Sequence, residues 1–157
     1  MLKLVIIFRW GENLGKEEAK RIFREYIKRQ GLRNTKQREE ILDAFLSSGG
    51  HITVDELFDR VKKKDSSIGY ATVHRNLNLL LEAGLAEEIK IGKGKTRYEQ
   101  MHMREHHDHL ICLKCGRFIE VVDENIEKLQ NKLAEENDFK PVRHKLEIYG
   151  YCKKCRT

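Results

Sequence analysis

The sequence predicts an α+β protein made of two small domains, and three observations lead to this prediction. Segments with the hydrophobic spacing of helices come first, and short β-like segments follow them. The basic excess lies within residues 1–97, which hold 20 Lys and Arg against 14 Asp and Glu, whereas residues 98–157 hold 11 of each. All four cysteines and five of the seven histidines lie after residue 100. A basic N-terminal domain and a ligand-rich C-terminal domain are therefore expected.

The composition excludes a membrane-spanning chain. The 157 residues are 36% charged and have a mean hydropathy of −0.65, and no apolar run approaches the ~18 residues of a transmembrane helix. The apolar stretch from Leu4 to Phe8 is too short for a signal peptide, and no small-residue cleavage site follows it. We therefore expect a cytoplasmic protein with no membrane partner, in which residues 1–16 form an N-terminal extension.

The N-terminal domain, assigned to residues 17–99, is predicted to contain helices followed by a β-hairpin. The helices are expected at residues 17–30, 35–46, from Thr53 onward, and 70–83. Thr53 and Glu56 fit a capping box, and Gly84 ends the last helix. The hairpin strands are expected at residues 86–91 and 96–99, around a basic tip at residues 92–95. This order is typical of the winged helix, a DNA-binding variant of the helix-turn-helix.

The helix at residues 70–83 has the two faces that a groove-inserting helix needs. Val73, Leu77 and Leu80 fall on one stripe, and small or polar residues fall on the other, namely Ala71, His74, Arg75 and Asn78. Arg can pair with guanine, Asn with adenine, and a small apolar group can meet a thymine methyl. An ordinary surface helix also turns polar residues outward. The hairpin and the charge asymmetry favour the DNA-contacting interpretation.

The C-terminal domain, residues 107–157, is predicted to be α/β and to follow a hinge at residues 100–106. Strands are expected at residues 107–112, 118–122 and 142–151, and a helix at residues 125–136. The helix should turn its apolar residues inward, namely Ile126, Leu129 and Leu133. The last strand should place four residues on one face, namely Val142, His144, Leu146 and Ile148.

Two C-x2-C pairs, Cys112 with Cys115 and Cys152 with Cys155, contain every cysteine of the chain. Two such turns can complete a tetrahedral shell of thiolates around one Zn²⁺. The alternatives are disulfides or unrelated buried thiols, and the absence of a signal peptide argues against disulfides. We expect a structural zinc, and because a closed four-thiolate shell leaves no open position, we do not expect it to be catalytic.

A second dense cluster of ligands lies in residues 105–109, whose sequence is Glu-His-His-Asp-His. If this segment is a strand, His107 and His109 point to one face, and His106 and Asp108 point to the other. One short sequence can thus contribute to two metal sites. Imidazole and carboxylate without thiolate suit Fe²⁺, Mn²⁺, Co²⁺ or Zn²⁺. A solvated polar strand or hinge is the alternative.

Three motifs together resemble the ferric uptake regulator (Fur) family over about residues 20–155. They are Gly69-Tyr-Ala-Thr-Val-His-Arg-Asn-Leu77, His106-His-Asp-His-Leu-Ile-Cys-Leu-Lys-Cys-Gly116 and Glu147-Ile-Tyr-Gly-Tyr-Cys152. The resemblance implies a homodimeric repressor with a winged-helix DNA-binding domain, an α/β dimerisation domain and a structural zinc. It also implies binding to double-stranded operator DNA when a sensory metal is loaded.

The resemblance also implies residue roles. The structural zinc corresponds to Cys112, Cys115, Cys152 and Cys155. The regulatory metal corresponds to His51, Glu99, His107, His109 and Glu120, and a second dimerisation-domain metal to His106, Asp108, Glu127 and His144. The expected DNA contacts are Arg33, Tyr70, Ala71, Thr72, His74, Arg75 and Asn78. The chain departs from the family pattern at His74, which is usually Tyr, at Glu105, which is commonly His, and in its first fifteen or so residues.

Iron is the expected regulatory metal, because the peroxide-sensing branch of the family typically has Asp at the position of Glu120. Fe²⁺ would therefore be sensed, with Mn²⁺, Co²⁺ or Zn²⁺ as substitutes, and a zinc- or peroxide-sensing member is the alternative. A constitutive zinc-containing nucleic-acid-binding protein would not need the His and carboxylate ligands. A zinc hydrolase or deaminase would need an open metal position and a general base, and neither of their motifs is present. We therefore expect neither an enzyme nor a small-molecule substrate.

Overall fold

A computed structural model of the chain describes residues 15–90, 96–101, 107–141 and 144–156. The elements in chain order are α1 (Lys16–Arg29), α2 (Lys36–Leu46), α3 (Val54–Lys62), α4 (Tyr70–Glu82), β1 (Ala86–Lys90), β2 (Thr96–Gln100), β3 (Asp108–Cys112), β4 (Phe118–Val121), α5 (Glu124–Glu135) and β5 (Glu147–Gly150). The described residues up to Met101 belong to one compact unit and those from His107 onward to another. Among the described helices, none has the length and apolar character required to span a membrane.

The first two helices form because each has one apolar face and polar ends. In α1, the residues that repeat at helical spacing are buried, namely Ala19, Ile22, Phe23 and Ile27. The Thr35 hydroxyl accepts a hydrogen bond from the backbone of Arg38 and so caps the start of α2. Ion pairs from Lys20 to Asp43 (2.7 Å) and from Arg24 to Glu39 (2.7 Å) join the two helices on the surface.

The ends of α3 and α4 confirm the predicted start and stop signals. Thr53 and Glu56 form the complete capping box at the start of α3. At the end of α4, Gly84 has a φ of +71°, which residues with a side chain rarely adopt. This turn lets the amide of Leu85 donate to the carbonyl of Leu80 at 2.9 Å, closing the helix end.

The hairpin after α4 is antiparallel and has a third, very short partner. Strands β1 and β2 pair from Ala86 opposite Gln100 to Lys90 opposite Thr96. The backbones of Ile52 and Tyr98 also exchange two hydrogen bonds, of 2.9 and 2.8 Å. The helices and hairpin form the predicted winged-helix order, whereas the basic tip at residues 92–95 lies outside the described residues.

The second unit is built on a three-stranded sheet with β3 in the centre. Strand β4 pairs antiparallel to β3, and β5 pairs parallel to it on the other side. The parallel pairing places Gly150 of β5 beside Cys112 at the end of β3. Helix α5, which connects the two outer strands, is capped at its start by the Asp123 carboxylate.

Two sequence-based expectations for the second unit are wrong. The last strand covers Glu147–Gly150 rather than residues 142–151, because the short strand β3 offers a backbone partner to four residues only. Val142 lies outside the described residues. Leu129 and Leu133 are not turned into a core: they are 65% and 64% exposed, because this small sheet has too little surface to cover α5 in a single chain.

Candidate metal sites and DNA-contacting surface

The four cysteines form one cluster. All four Sγ atoms lie within 4.8 Å of one another. The pairing of β5 beside β3 brings the two C-x2-C turns together, because Cys112 ends β3 and Cys152 follows β5 closely. The sulfurs of Cys115 and Cys152 are 3.7 Å apart, well beyond the ~2 Å of a disulfide bond. All four are free thiols, and this donor set fits a tetrahedral zinc ion.

The cluster favours an ionised sulfur at one of its four positions. The backbone amide of Cys152 donates to Cys112 Sγ at 3.4 Å, and this bond, together with others from the Cys115 turn, lowers the pKa of Cys112 to about 6. Burial and hydrogen bonding with the neighbouring thiols raise the pKa of Cys155 to about 12. Because a cation binds thiolates, loading the cluster would release the protons that its thiols still carry.

A histidine and a carboxylate from distant parts of the first unit form a close pair. The Nε2 atom of His51 lies 3.1 Å from the Oε2 atom of Glu99, and the two side chains are 7% and 10% exposed. His51 precedes Ile52, which is bonded to Tyr98, the neighbour of Glu99. The backbone bridge thus explains why these two residues meet, and their nitrogen and oxygen donors suit a divalent cation.

In the second unit, the residues on one side of β3 also bring nitrogen and oxygen donors together. The rings of His107 and His109 lie edge to face, with centroids 4.9 Å apart. His107 Nε2 lies 4.0 Å from an oxygen of Glu120, and Glu120 is opposite His109 in the pairing of β3 with β4. The rings of His109 and Phe118 also lie edge to face, with centroids 5.6 Å apart. These contacts bring together three side chains that could bind a metal, those of His107, His109 and Glu120.

The other side of β3 faces a separate group of donors. Asp108, Glu127 of α5 and His144 each place a ligand atom within 4.8 Å of the others. His144 Nε2 is 3.3 Å from the Glu127 carboxylate, and Asp108 is 2% exposed. The alternation along the strand therefore puts Asp108 in a different group from His107 and His109. The fourth predicted ligand, His106, lies outside the described residues.

The predicted DNA contacts fall on the exposed side of α4 and on the turn before α2. The exposed residues are Tyr70, Ala71, His74, Arg75, Asn78 and, in the turn, Arg33. Thr72 is half-buried, and its carbonyl accepts a hydrogen bond from the Asn76 side chain. The opposite stripe of α4 is fully buried and anchors the helix, because Val73, Leu77 and Leu80 have no exposed surface.

Two residues that the sequence did not identify as functional form hydrogen bonds close to the candidate sites. Gln100 donates from its side-chain amide to the carbonyl of Phe45, which is 55 positions away in the chain. Asp55 accepts a hydrogen bond of 3.1 Å from the Tyr70 hydroxyl. No spacing rule links positions so far apart, so only the tertiary structure reveals these contacts.

Comparisons with known proteins show which family the chain is similar to. The profile of the ferric uptake regulator family matches residues 29–149. The ferric uptake regulation protein of Helicobacter pylori is 36% identical over 130 residues, or 83% of this chain and 86% of that protein. The structure of the Helicobacter pylori ferric uptake regulator, which has three functional metal-binding sites, matches with a TM-score of 0.77 and 34% identity over 93% of this chain and 97% of that chain. The Campylobacter jejuni peroxide stress regulator matches with a TM-score of 0.62 and 30% identity over 87% of this chain and 98% of that chain.

Proposed function

The chain belongs to the ferric uptake regulator family of metal-responsive transcription regulators, and from this premise we propose that it is an Fe²⁺-dependent repressor of iron uptake genes. The observation that supports this most directly is the combination of ligand types in one chain. A thiol-only group is suited to permanent zinc, and separate groups of His and carboxylate donors are suited to a metal that exchanges. We further propose that it acts in the cytoplasm, where operator DNA is located.

We infer that the four cysteines bind a structural zinc ion permanently. The thiolates tie the turn after β3 to the end of the chain beyond β5. Such a site rarely exists before folding, so the binding energy of its metal contributes to folding. Zinc at this position would maintain the second unit, which has few buried apolar residues of its own.

We assign the regulatory metal to His51 and Glu99 from the first unit and to His107, His109 and Glu120 from the second. Each unit already holds its own donors in contact, with 3.1 Å between His51 and Glu99 and 4.0 Å between His107 and Glu120. A metal bound by both sets would favour one orientation of the DNA-binding unit. The metal would then raise operator affinity by shifting a population of orientations rather than by touching DNA.

We assign a second metal in the dimerisation domain to His106, Asp108, Glu127 and His144. The close approach of the last three residues supports this assignment. Because α5 contributes Glu127 and also carries the exposed leucines, a metal here would brace the helix that we expect to contact a second subunit.

We propose that the metal-loaded protein binds a pseudo-palindromic operator as a homodimer, since a two-fold protein matches a two-fold site. Helix α4 would lie in the major groove, with Arg33, Tyr70, Ala71, Thr72, His74, Arg75 and Asn78 near the DNA. Operator affinity should fall steeply with salt, because Lys and Arg release counterions from the phosphates.

The proposal is tested by operator binding at buffered concentrations of free metal. The zinc-loaded protein is titrated onto DNA from upstream of its own gene, without added metal and with Fe²⁺, Mn²⁺ or Zn²⁺, under anaerobic conditions. We expect specific retardation only with added metal, and with Fe²⁺ at the free concentration found in cells. Equal binding without added metal would indicate a constitutive nucleic-acid-binding protein instead. A response only to Zn²⁺, or loss of Fe²⁺-dependent binding after peroxide, would indicate the zinc- or peroxide-sensing alternative.

A further inference from the structure

Gln100, the last residue of β2, takes part in a closed set of three hydrogen bonds, of which one is buried and two are partly buried. Its side-chain Nε2 donates to the carbonyl of Phe45 at 2.6 Å and to the hydroxyl of Ser48 at 3.1 Å. The Ser48 hydroxyl itself donates to the same Phe45 carbonyl at 2.7 Å. Gln100 is 7% exposed, so water competes weakly for these bonds. The end of α2 is therefore tied to the end of the hairpin.

The segment that these bonds secure leads directly to His51. Between Ser48 and His51 the chain contains Gly49 and Gly50, whose φ angles are +68° and +139°. Glycine has no Cβ atom and adopts positive φ angles easily, so two glycines give this segment more conformational freedom than other residues would. On the far side of His51, the backbone pair of Ile52 and Tyr98 holds the chain again. His51 thus sits between two attachment points, and both of them are on β2.

Glu99 lies between the same two attachment points on β2. Its neighbours in the chain are Tyr98, which pairs with Ile52, and Gln100, which bonds to Phe45 and Ser48. The two attachments therefore fix the separation of His51 and Glu99, which is 3.1 Å between Nε2 and Oε2. A loop that contains two glycines would otherwise lose conformational entropy on bringing His51 to a metal.

We propose that Gln100 is a positioning residue that holds His51 beside Glu99 before the regulatory metal binds. This inference rests on the proposed function, in which these two side chains are metal ligands. The amide is suited to the task because its NH₂ group donates two bonds to two acceptors. A carboxylate could not donate them, and an aliphatic side chain could not form them. Gln100 thereby raises metal affinity without touching the metal.

The test compares two full-length, zinc-loaded proteins that differ only by Gln100→Leu. Both carry His144→Ala, which removes a ligand of the second candidate site, so that added Co²⁺ reports on the regulatory ligands through its visible absorption. We expect Gln100→Leu to weaken Co²⁺ binding on the order of tenfold, as loss of a buried hydrogen-bonded tie predicts. Operator affinity at saturating Co²⁺ should stay within about twofold, because the proposed DNA contacts are intact. The amide of Ile52 should exchange its hydrogen faster in the metal-free variant.

Ile89→Val is the matched control for a purely structural role. Ile89 is buried in the same hairpin, and its truncation lowers stability without touching the Gln100 bonds. It should lower the melting temperature and leave Co²⁺ affinity nearly unchanged. If Co²⁺ affinity falls equally in Ile89→Val and Gln100→Leu, or stays constant in Gln100→Leu, the positioning role is wrong.

His51→Ala separates failure of this inference from failure of the proposed function. If His51→Ala weakens Co²⁺ binding strongly while Gln100→Leu does not, His51 is a ligand and only the role of Gln100 is refuted. If His51→Ala also leaves Co²⁺ binding unchanged, the ligand assignment fails and the inference fails with it. A smaller effect of Ser48→Ala than of Gln100→Leu is expected, because the bond from Gln100 to Phe45 survives.

Discussion

Tyr70 and Arg75 both lie on the exposed side of α4, but their surroundings suit them to different parts in the proposed DNA binding. The Tyr70 hydroxyl donates to Asp55, and its ring meets the ring of Phe58 edge to face, with centroids 5.5 Å apart. Tyr70 is therefore held across the start of α3 and α4, and the residue is 45% exposed. Arg75 is exposed five positions further along the helix, and its guanidinium is suited to pairing with a guanine edge.

Replacement of Arg75 by Ala is expected to weaken operator binding by about 1–3 kcal/mol, because a bidentate pair with a base is lost. Affinity for random DNA should change much less, since that binding depends mainly on charge. Both affinities are measured by fluorescence anisotropy at one salt concentration. Arg29→Ala, which removes the same charge from an exposed position on α1, is the control. An unchanged ratio of the two affinities in Arg75→Ala would rule out the recognition role of this residue.

At the scale of secondary-structure elements, α3 depends on its capping box more than on its length. The helix spans only nine residues, Val54–Lys62, so intrinsic helix propensity contributes little. The Thr53 hydroxyl accepts from the amide of Glu56 at 3.2 Å, and the Glu56 carboxylate accepts from the amide of Thr53 at 2.8 Å. His51 lies just before this cap. The cap therefore also fixes the position at which the segment that contains His51 ends and α3 begins.

Thr53→Ala should lower the free energy of unfolding of the first unit by about 1 kcal/mol, within the range of about 0.5–2 kcal/mol for lost N-caps. The measurement is chemical denaturation followed by circular dichroism of the zinc-loaded protein. Thr96→Ala, a half-buried threonine of the hairpin outside the helix cap, provides the comparison. A loss no greater than that in Thr96→Ala would mean that the cap is not stabilising.

The same cap makes the stability of α3 depend on pH. The bond from the Thr53 amide holds the pKa of Glu56 below its ordinary value of 4.5, so the ionised form stabilises the folded state. This contribution is complete above about pH 4.5 and is lost as the pH falls through the lower folded-state pKa. Glu56→Gln should therefore reduce the loss of stability on acidification below pH 4.5. The check is denaturation at pH 3 to 6, and identical pH profiles for both proteins would contradict it.

In the whole molecule, the second unit exposes many large apolar side chains when the chain is considered as a monomer. The large apolar side chains exposed there are Leu113, Ile119, Val122, Leu129, Leu133, Phe139, Ile148, Tyr149 and Tyr151. Helix α5 contributes no buried residue to its own chain. A monomer seldom exposes so much apolar surface in one small domain, and a second subunit would cover it. This surface supports the proposed homodimer.

Leu133→Lys should dissociate the dimer, because it would bury a charge in the subunit contact. Sedimentation velocity of the zinc-loaded protein should show a shift from dimer to monomer at micromolar concentration. Asn131→Lys places the same charge on the opposite side of α5, about 200° around the helix from Leu129, and should remain dimeric. If both variants behave alike, α5 is not the contact helix.

Loss of the two kinds of metal ligand should have opposite consequences. Cys112→Ser should lose zinc, lower the melting temperature of the second unit and weaken the dimer, because the thiolate shell supports its fold. His109→Ala should stay folded, zinc-loaded and dimeric, but should need far more added metal to bind operator. Zinc content, melting and metal-titrated operator binding are measured for both. Unfolding of His109→Ala with unchanged melting of Cys112→Ser would reverse the assignments of structural and regulatory sites.

Features that depend on neighbouring residues could be predicted from the sequence alone. Helix starts at Thr35 and Thr53 and the helix end at Gly84 follow from local capping and backbone preferences, so they could be predicted closely. The separation of Asp108 from His107 and His109 follows from the alternation of side chains along a strand. These effects act within a few residues and therefore leave a signal in the spacing.

Features that depend on which strands pair could not be predicted from the sequence and are visible only in the folded chain. Parallel pairing of β5 with β3 brings Cys152 to Cys112 across 40 positions, and the bridge from Ile52 to Tyr98 sets His51 beside Glu99. The role of Gln100 and the exposure of the α5 leucines follow from the same long-range arrangement. Hydrophobic periodicity shows which face of an element is apolar, but not whether its own chain or a second subunit covers that face.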